Sequence, residues 1–273
     1  MDRFRTDTLK VPGATLHYEV RGTGPVLPLI PGGTADSGVF APIRSVLSKR
    51  YTVVTYDPRG LSRSTFDGEP KDTTVQTFAD DAHRLLAAIN TEAAYVFGSS
   101  GALLGFDLVI RHPEQVRALV AHEPPLARLL DEDDGAVALW LGVHDTYRFK
   151  GVGPAMGQFL AAAGLAQGGS RPPAHAPPEA SEAIAPTPSN PDFFLGHMWL
   201  PMADYAPDIL RLRSLPVAVA VGETSEGQLT YRSAVALAEQ LGKEAAVFPG
   251  DHGGSRSYPR AFADRLEEAF STY

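Results

Sequence analysis

The chain has 273 residues, 44% of them apolar, enough to bury one large α/β core with an insertion or two small cores. Its formal net charge of -8 repels phosphate backbones and anionic membrane surfaces, which argues against nucleic acid or membrane partners. No cysteine is present, so disulfides, thiolate metal sites and cysteine nucleophiles are excluded together.

The first residues, Met1 to Asp7, carry charges of both signs and are followed by no apolar run of the roughly 7–15 residues a secretory leader needs. No uncharged apolar stretch approaches the length of about 18 residues that reads as a spanning helix, so a cytoplasmic protein is expected. Thr15–Val20 alternates polar and apolar and ends at Gly22-Thr23-Gly24-Pro25, which predicts an early antiparallel strand closed by a turn. Val26–Ile30 is a short buried strand running into Pro31-Gly32-Gly33-Thr34, and Tyr51–Tyr56 is another, stopping at Asp57-Pro58-Arg59-Gly60. Helical spacing at Phe78, Ala82, Leu85, Leu86 and Ile89 predicts a helix from Thr77 to a stop at Asn90. Ala93–Phe97 is the next strand; it breaks at Gly98-Ser99-Ser100-Gly101-Ala102 and restarts as a helix over Leu103–Arg111, ended by Pro113. Ala118–Ala121 then runs into His122-Glu123-Pro124-Pro125.

After that the rhythm changes. Residues 126–205 hold helical patches (Ala136–Tyr147, Pro154–Leu165), a proline- and alanine-rich loop over Arg171–Pro191, and no convincing strand. Alternation returns with a strand at Val217–Val221, a helix over Tyr231–Leu241, a strand at Ala245–Phe248 and a last helix over Pro259–Phe270. The alternation predicts an α/β fold, a mostly parallel central sheet flanked by helices, formed by residues 1–125 and 206–273, with 126–205 inserted as a helical cap or lid.

Chemistry concentrates where strands end. The pentapeptide around Ser100 lies between a predicted strand and a predicted helix, where a sharp, strained turn would push a hydroxyl out above the sheet. The spacing selects Ser100 over Ser99, because only Ser100 has small residues two before and two after it. Gly101 opens the following helix, so its N–H suits a developing oxyanion, and Gly33, in the loop after Ile30, is the candidate for the second donor. A phosphate cradle would want a lysine by the second glycine, and there is none. His252, flanked by Gly250, Gly253 and Gly254 just past the last strand, is the candidate base. The other histidines read as surface or capping residues, with His122 notable as the neighbour of an acid.

With these segments in order, residues 12–125 and 215–265 resemble the α/β-hydrolase superfamily. The resemblance implies a serine nucleophile at Ser100, an oxyanion site at Gly33 and Gly101, and His252 as base, with no metal and no organic cofactor. The segment Asp57 to Ser64 fits the pattern, with Asp57 and Arg59 expected to form a local ion pair that orients its loop. Two positions depart from it. Pro31 stands where the family usually has a histidine, and Ser225, three residues past Gly222, stands where it usually has an aspartate. Glu123, at a position where some members carry their acid, is the favoured substitute; Glu223 is the alternative, and Asp251 is expected to point away from the ring.

Trp140, Tyr147, Phe194 and Met198, with Phe159, Phe193 and Trp199, are the large apolar residues of the insertion. They are expected either to line a pocket for a small hydrophobic or aromatic substrate or to form the insertion's own core. The implied reaction is hydrolysis of an ester, thioester or lactone through an acyl-enzyme. Carbon–carbon bond hydrolysis and cofactor-free perhydrolysis would use the same site, and a non-catalytic small-molecule receptor is the alternative of another class.

Overall fold

A computed structural model describes residues 4–89, 92–131, 134–163, 165 and 187–273. The expected stop at Asn90, residues 171–186 of the proline-rich loop, and His175 lie outside the described residues. Nine strands form one sheet: β1 (Phe4–Val11), β2 (Ala14–Arg21), β3 (Val26–Ile30), β4 (Thr52–Tyr56), β5 (Thr65–Phe66), β6 (Ala94–Gly98), β7 (Val116–His122), β8 (Val217–Gly222) and β9 (Ala246–Phe248). Their order is β1-β2-β4-β3-β6-β7-β8-β9, with β5 paired to β2. β2 pairs antiparallel with β1, β4 and β5, and every pairing from β4 to β9 is parallel.

The parallel strands are apolar runs because both faces are covered. On one face lie α2 (Val75–Ile89), α3 (Ala102–Arg111) and α10 (Leu229–Leu241), whose apolar stripes, including Phe78, Phe106 and Leu237, join one core cluster. On the other lie α1 (Ala41–Leu47) and α12 (Pro259–Phe270), which set Ile43, Leu47, Phe262 and Leu266 against Leu29, Phe97 and Val120. The chain leaves β3 for α1 on this second face and leaves β6 for α3 on the first. The adjacent ends of β3 and β6 are therefore a topological switch point, the place where open α/β sheets leave a crevice for ligands.

The described part of 126–205 is helical: α4 (Gly135–Leu141), α5 (Val143–Lys150), α6 (Val152–Ala162), α7 (Asn190–Phe193), a π-helical turn over Phe194–Met198, and α8 (Trp199–Ala203). Trp140, Phe159, Phe194 and Trp199 pack ring against ring and belong to the same core cluster as the first face of the sheet. Short α9 (Ile209–Leu212) leads back to β8, and α11 (Gly254–Ser257) follows β9.

The structure corrects one pairing. Asp57 and Arg59 do not form an ion pair with each other. Asp57 is bound by Arg63 at 2.8 Å and by the amide of Ser37 at 3.1 Å, whereas Arg59 reaches back to Asp81 on α2 at 2.6 Å. Asp57 thus ties the loop to the 3-10 turn at Ser37 and Arg59 ties it to α2.

Candidate active site

The two glycine-bearing loops leave neighbouring strands at the same level, since Ile30 and Gly98 are register partners. They touch backbone to backbone. A Cβ on Gly32 would lie 2.3 Å from the Gly101 nitrogen and 2.6 Å from the Ser100 Cβ, and one on Gly101 would lie 2.1 Å from the Ile30 carbonyl oxygen. Side chains at either position would drive the loops apart, which is the physical reason for glycine at both. Neither the Gly33 nor the Gly101 amide donates a hydrogen bond among the described residues. Gly33 and Ser100 line the same cavity.

Ser100 sits at the bend between β6 and α3, where the Ala102 amide bonds the Ser99 carbonyl at 2.8 Å. The bend is sharp, but the expected strain is not at the serine. Among the described residues the non-glycine positive φ values belong to Ser62 and Glu123, at 50° and 47°. The backbone turns at Ser100 through close approach of small residues, and the left-handed residue is instead the carboxylate behind it.

The Ser100 hydroxyl lies 2.9 Å from His252 Nε2. His252 Nδ1 lies 3.1 Å from Glu123 Oε2. A carboxylate only accepts, so Nδ1 carries the proton and Nε2 is left to accept from Ser100. Glu123 is fully buried at the end of β7. Its other oxygen accepts the Gly222 amide at 2.8 Å, and its own amide donates to the Ala220 carbonyl at 2.8 Å. These bonds to the neighbouring strand hold a backbone conformation that costs an ordinary residue about 1–2 kcal/mol. Burial acts to raise the Glu123 carboxyl, but the hydrogen bond and charge of His252, the charge of His122 and the Ser225 hydroxyl outweigh it and hold it at about 2. It stays ionised throughout the neutral range.

The alternative acid is elsewhere. Glu223 is exposed and accepts the Gly250 amide at 3.1 Å, bracing the loop that carries His252 without touching the ring. Asp251 accepts the Gly253 amide at 2.8 Å. Ser225 is buried and its hydroxyl points to the Gly222 carbonyl, 3.4 Å away.

Ser99 and His122 form a second layer. The Ser99 hydroxyl is 3.3 Å from His252 Nε2 and 3.4 Å from His122 Nδ1. His122 is buried between Phe248 and Phe262. Burial chiefly, with the charge of His252, pushes its imidazole down to about 4 despite the opposing pull of Glu123 and Asp251. It is neutral when folded, while the unfolded chain takes up its proton near pH 6.5. Stability should therefore be flat above that pH, fall as pH drops from 6.5 toward 4, and flatten again below, by an amount on the order of 3 kcal/mol. Thermal melts of the wild type and His122→Gln across this window check it: the variant should have the shallower slope.

A cavity of about 640 Å³ opens over Ser100 and His252, roofed by Met156, Phe159 and Leu160 of α6 and by Thr187, Pro188 and Pro191. A recess of about 20 Å³ beside it is lined by Ser100, Leu103, Trp140, Phe159, Phe194 and Met202. Of the four expected pocket residues, Trp140 and Phe194 line this recess. Tyr147 and Met198 line neither cavity. The Tyr147 hydroxyl donates to Asp192 at 3.0 Å, and Met198, the last residue of the π-helical turn, is buried in the core cluster. Phe159 borders both spaces. Met156, one turn of α6 before Phe159, and Leu160, the residue after it, have no signal beyond their place beside Phe159. Asn190 was not foreseen either: fully buried, it donates to the Thr34 carbonyl at 3.1 Å and accepts the Ser62 amide at 2.9 Å, tying α7 to the Gly33 loop.

Among the described residues, His122, Glu123 and His252 are the cluster with metal-ligand spacing, but Glu123 and His252 already direct their donor atoms at each other. No helix among the described residues is long and apolar enough to cross a membrane.

A family model described as the α/β hydrolase fold matches residues 25–163. The uncharacterized hydrolase YraK of Bacillus subtilis (strain 168) is 37% identical over 272 residues, covering 96% of this chain and 94% of that protein. A thermophilic esterase from Thermogutta terrifontis superposes with a TM-score of 0.72 at 21% identity, over 100% of this chain and 98% of that one. The enol-lactonase from Burkholderia xenovorans LB400 does so with a TM-score of 0.70 at 20% identity, over 98% and 100%. At these identities the two structures speak to the fold alone.

Proposed function

The chain belongs to the α/β hydrolase family, and on that premise we propose that it is a serine hydrolase cleaving an ester, thioester or lactone of a small, largely hydrophobic molecule. The observation that carries this reading is the line Ser100 Oγ, His252 Nε2 and Nδ1, Glu123 Oε2, with spacings of 2.9 and 3.1 Å, opening into an apolar cavity.

In the proposed reaction His252 Nε2 takes the proton of Ser100 as its oxygen attacks the carbonyl carbon. The carbonyl electron pair moves onto oxygen, which the Gly33 and Gly101 amides receive. Collapse expels the alcohol or thiol, protonated by His252, and leaves an acyl group on Ser100. Water, deprotonated by the same imidazole, attacks that ester and releases the acid. This chemistry calls for no metal or organic cofactor. The segment 126–205 acts as the cap, with Phe159, Trp140 and Phe194 supplying apolar surface beside the reacting carbon. A carboxylate oxygen 3.1 Å from His252 Nδ1 favours turnover over the alternative of a receptor without it.

A fluorophosphonate probe tests the nucleophile. It should add one phosphonyl group, located on the Ser100 peptide by mass spectrometry. A panel of phenyl esters of increasing acyl length should show turnover with a maximum set by the cavity. Absence of both labelling and turnover in folded protein would sink the reading.

A further inference from the structure

We propose that Arg256 makes this site selective for substrates carrying a carboxylate or similar anionic group in addition to the bond that is cleaved; the inference rests on the serine hydrolase reading above and deepens it. Arg256 lines the same cavity as Ser100 and His252. It lies on α11, four residues after His252, and the backbone turns helically between them through the bonds from the Gly254 amide to the Asp251 carbonyl and from the Arg256 amide to the Gly253 carbonyl. His252 and Arg256 both border that cavity. The guanidinium passes over Gly253, where an added Cβ would lie 3.0 Å from Nη2 and 3.7 Å from Nε. The glycine beside the catalytic histidine thus makes room for the cation.

Most other arginines are held by carboxylates or carbonyls, and this one is not. Arg44 and Arg63 are held by Glu19, Arg59 by Asp81, Arg128 by Asp204 and Arg232 by Asp134. Arg256 has no side-chain hydrogen bond or ion pair among the described residues, and the nearest acid in sequence, Asp251, spends an oxygen on the Gly253 amide. Most of the remaining wall is apolar: Ile30, Val39, Phe40, Met156, Phe159 and Leu160. Arg256 is half-buried, so water also solvates it, and Asp251 Oδ1 lies 3.2 Å from that same Gly253 Cβ position; because a guanidinium keeps its charge at any pH the protein survives, an anionic group on the ligand would find a cation there to pair with. Its planar fork suits a carboxylate held by two bonds. The net charge of -8 disfavours anionic ligands at long range, so selectivity for one needs a local cation of this kind.

The test uses two matched pairs of esters. Monophenyl adipate and phenyl hexanoate share a chain length and differ by a carboxylate on the acyl side. The para-carboxyphenyl and para-carbamoylphenyl esters of hexanoic acid place the difference on the leaving side. In at least one pair the wild type should favour the anionic member in kcat/KM by about tenfold or more, the equivalent of about 1.4 kcal/mol. Arg256→Gln should bring that ratio close to one, mainly through KM, and Arg256→Lys should keep part of it. Gly253→Ala, which displaces the guanidinium without removing it, should also lower the ratio. The inference is overturned if the wild type favours neither anionic ester, or if its preference survives in Arg256→Gln. Turnover of phenyl hexanoate with labelled Ser100 but no anionic preference would overturn the role of Arg256 and leave the hydrolase standing; no turnover and no labelling would remove both.

Discussion

Ser100→Ala is expected to lower kcat on any ester the protein turns over by about 10⁵–10⁶, leaving the small residual rate that oxyanion donors and substrate binding supply without a nucleophile. The expectation follows from the placement of a single oxygen 2.9 Å from the base. Covalent labelling should disappear along with turnover, while the melting temperature should hold, because the hydroxyl has no other partner whose loss would leave a buried group unsatisfied. Ser99→Ala is the necessary comparison, since that hydroxyl is only 3.3 Å from the same Nε2. It stands one residue before the bend, with a second contact to His122, and its removal should cost less than about tenfold. If instead Ser99→Ala abolished labelling and Ser100→Ala retained it, the neighbouring hydroxyl would be the nucleophile.

Glu123→Gln is expected to lower kcat by about 10⁴, the loss seen when a triad carboxylate is replaced by its amide. The carboxylate fixes which ring nitrogen of His252 bears the proton. An amide in its place can present its NH₂ to Nδ1, which turns Nε2 from acceptor into donor and leaves Ser100 with no base. The effect should appear in kcat with substrate binding little altered, since Glu123 is fully buried beneath the imidazole and faces no cavity. Glu223→Gln should cost less than about tenfold, because its side chain reaches a backbone amide and not the ring. Steady-state kinetics of the two variants decide between the carboxylates, and a large loss in Glu223→Gln with none in Glu123→Gln would reverse the assignment.

Much of the fold could be read from residue order. Val26–Ile30, Ala93–Phe97 and Val217–Val221 are apolar runs too short for helices, bounded by glycine or proline, and each lies within one residue of a strand's ends in the structure. β1 gave no such signal. Most of its residues are exposed and five of the eight are polar; it exists because an edge strand pairs in full register with β2 across the Pro12-Gly13 turn. Nor did α1, seven residues long, show more than its buried Ile43 and Leu47 once packed against α12. Of the expected pocket residues, two of four lie beside Ser100. Helical spacing shows that Trp140, Tyr147, Phe194 and Met198 are apolar or amphipathic, but the rotation of each short helix about its axis decides which of them face the cavity, and packing alone sets that rotation.

The sequence by itself marked the candidate reacting residues, because strand ends flanked by glycine are local features: Ser100, Gly101, Gly33 and His252 can each be picked out from their immediate neighbours. Tertiary structure decided everything that depends on reach across strands. In one dimension Glu123 is favoured over Glu223 only because some superfamily members carry their acid at its position; the two part when β7 and β8 lie side by side, putting the Gly222 amide on one carboxylate and the Gly250 amide on the other. The same holds for Arg256, whose lack of a side-chain hydrogen bond or ion pair among the described residues shows only in three dimensions.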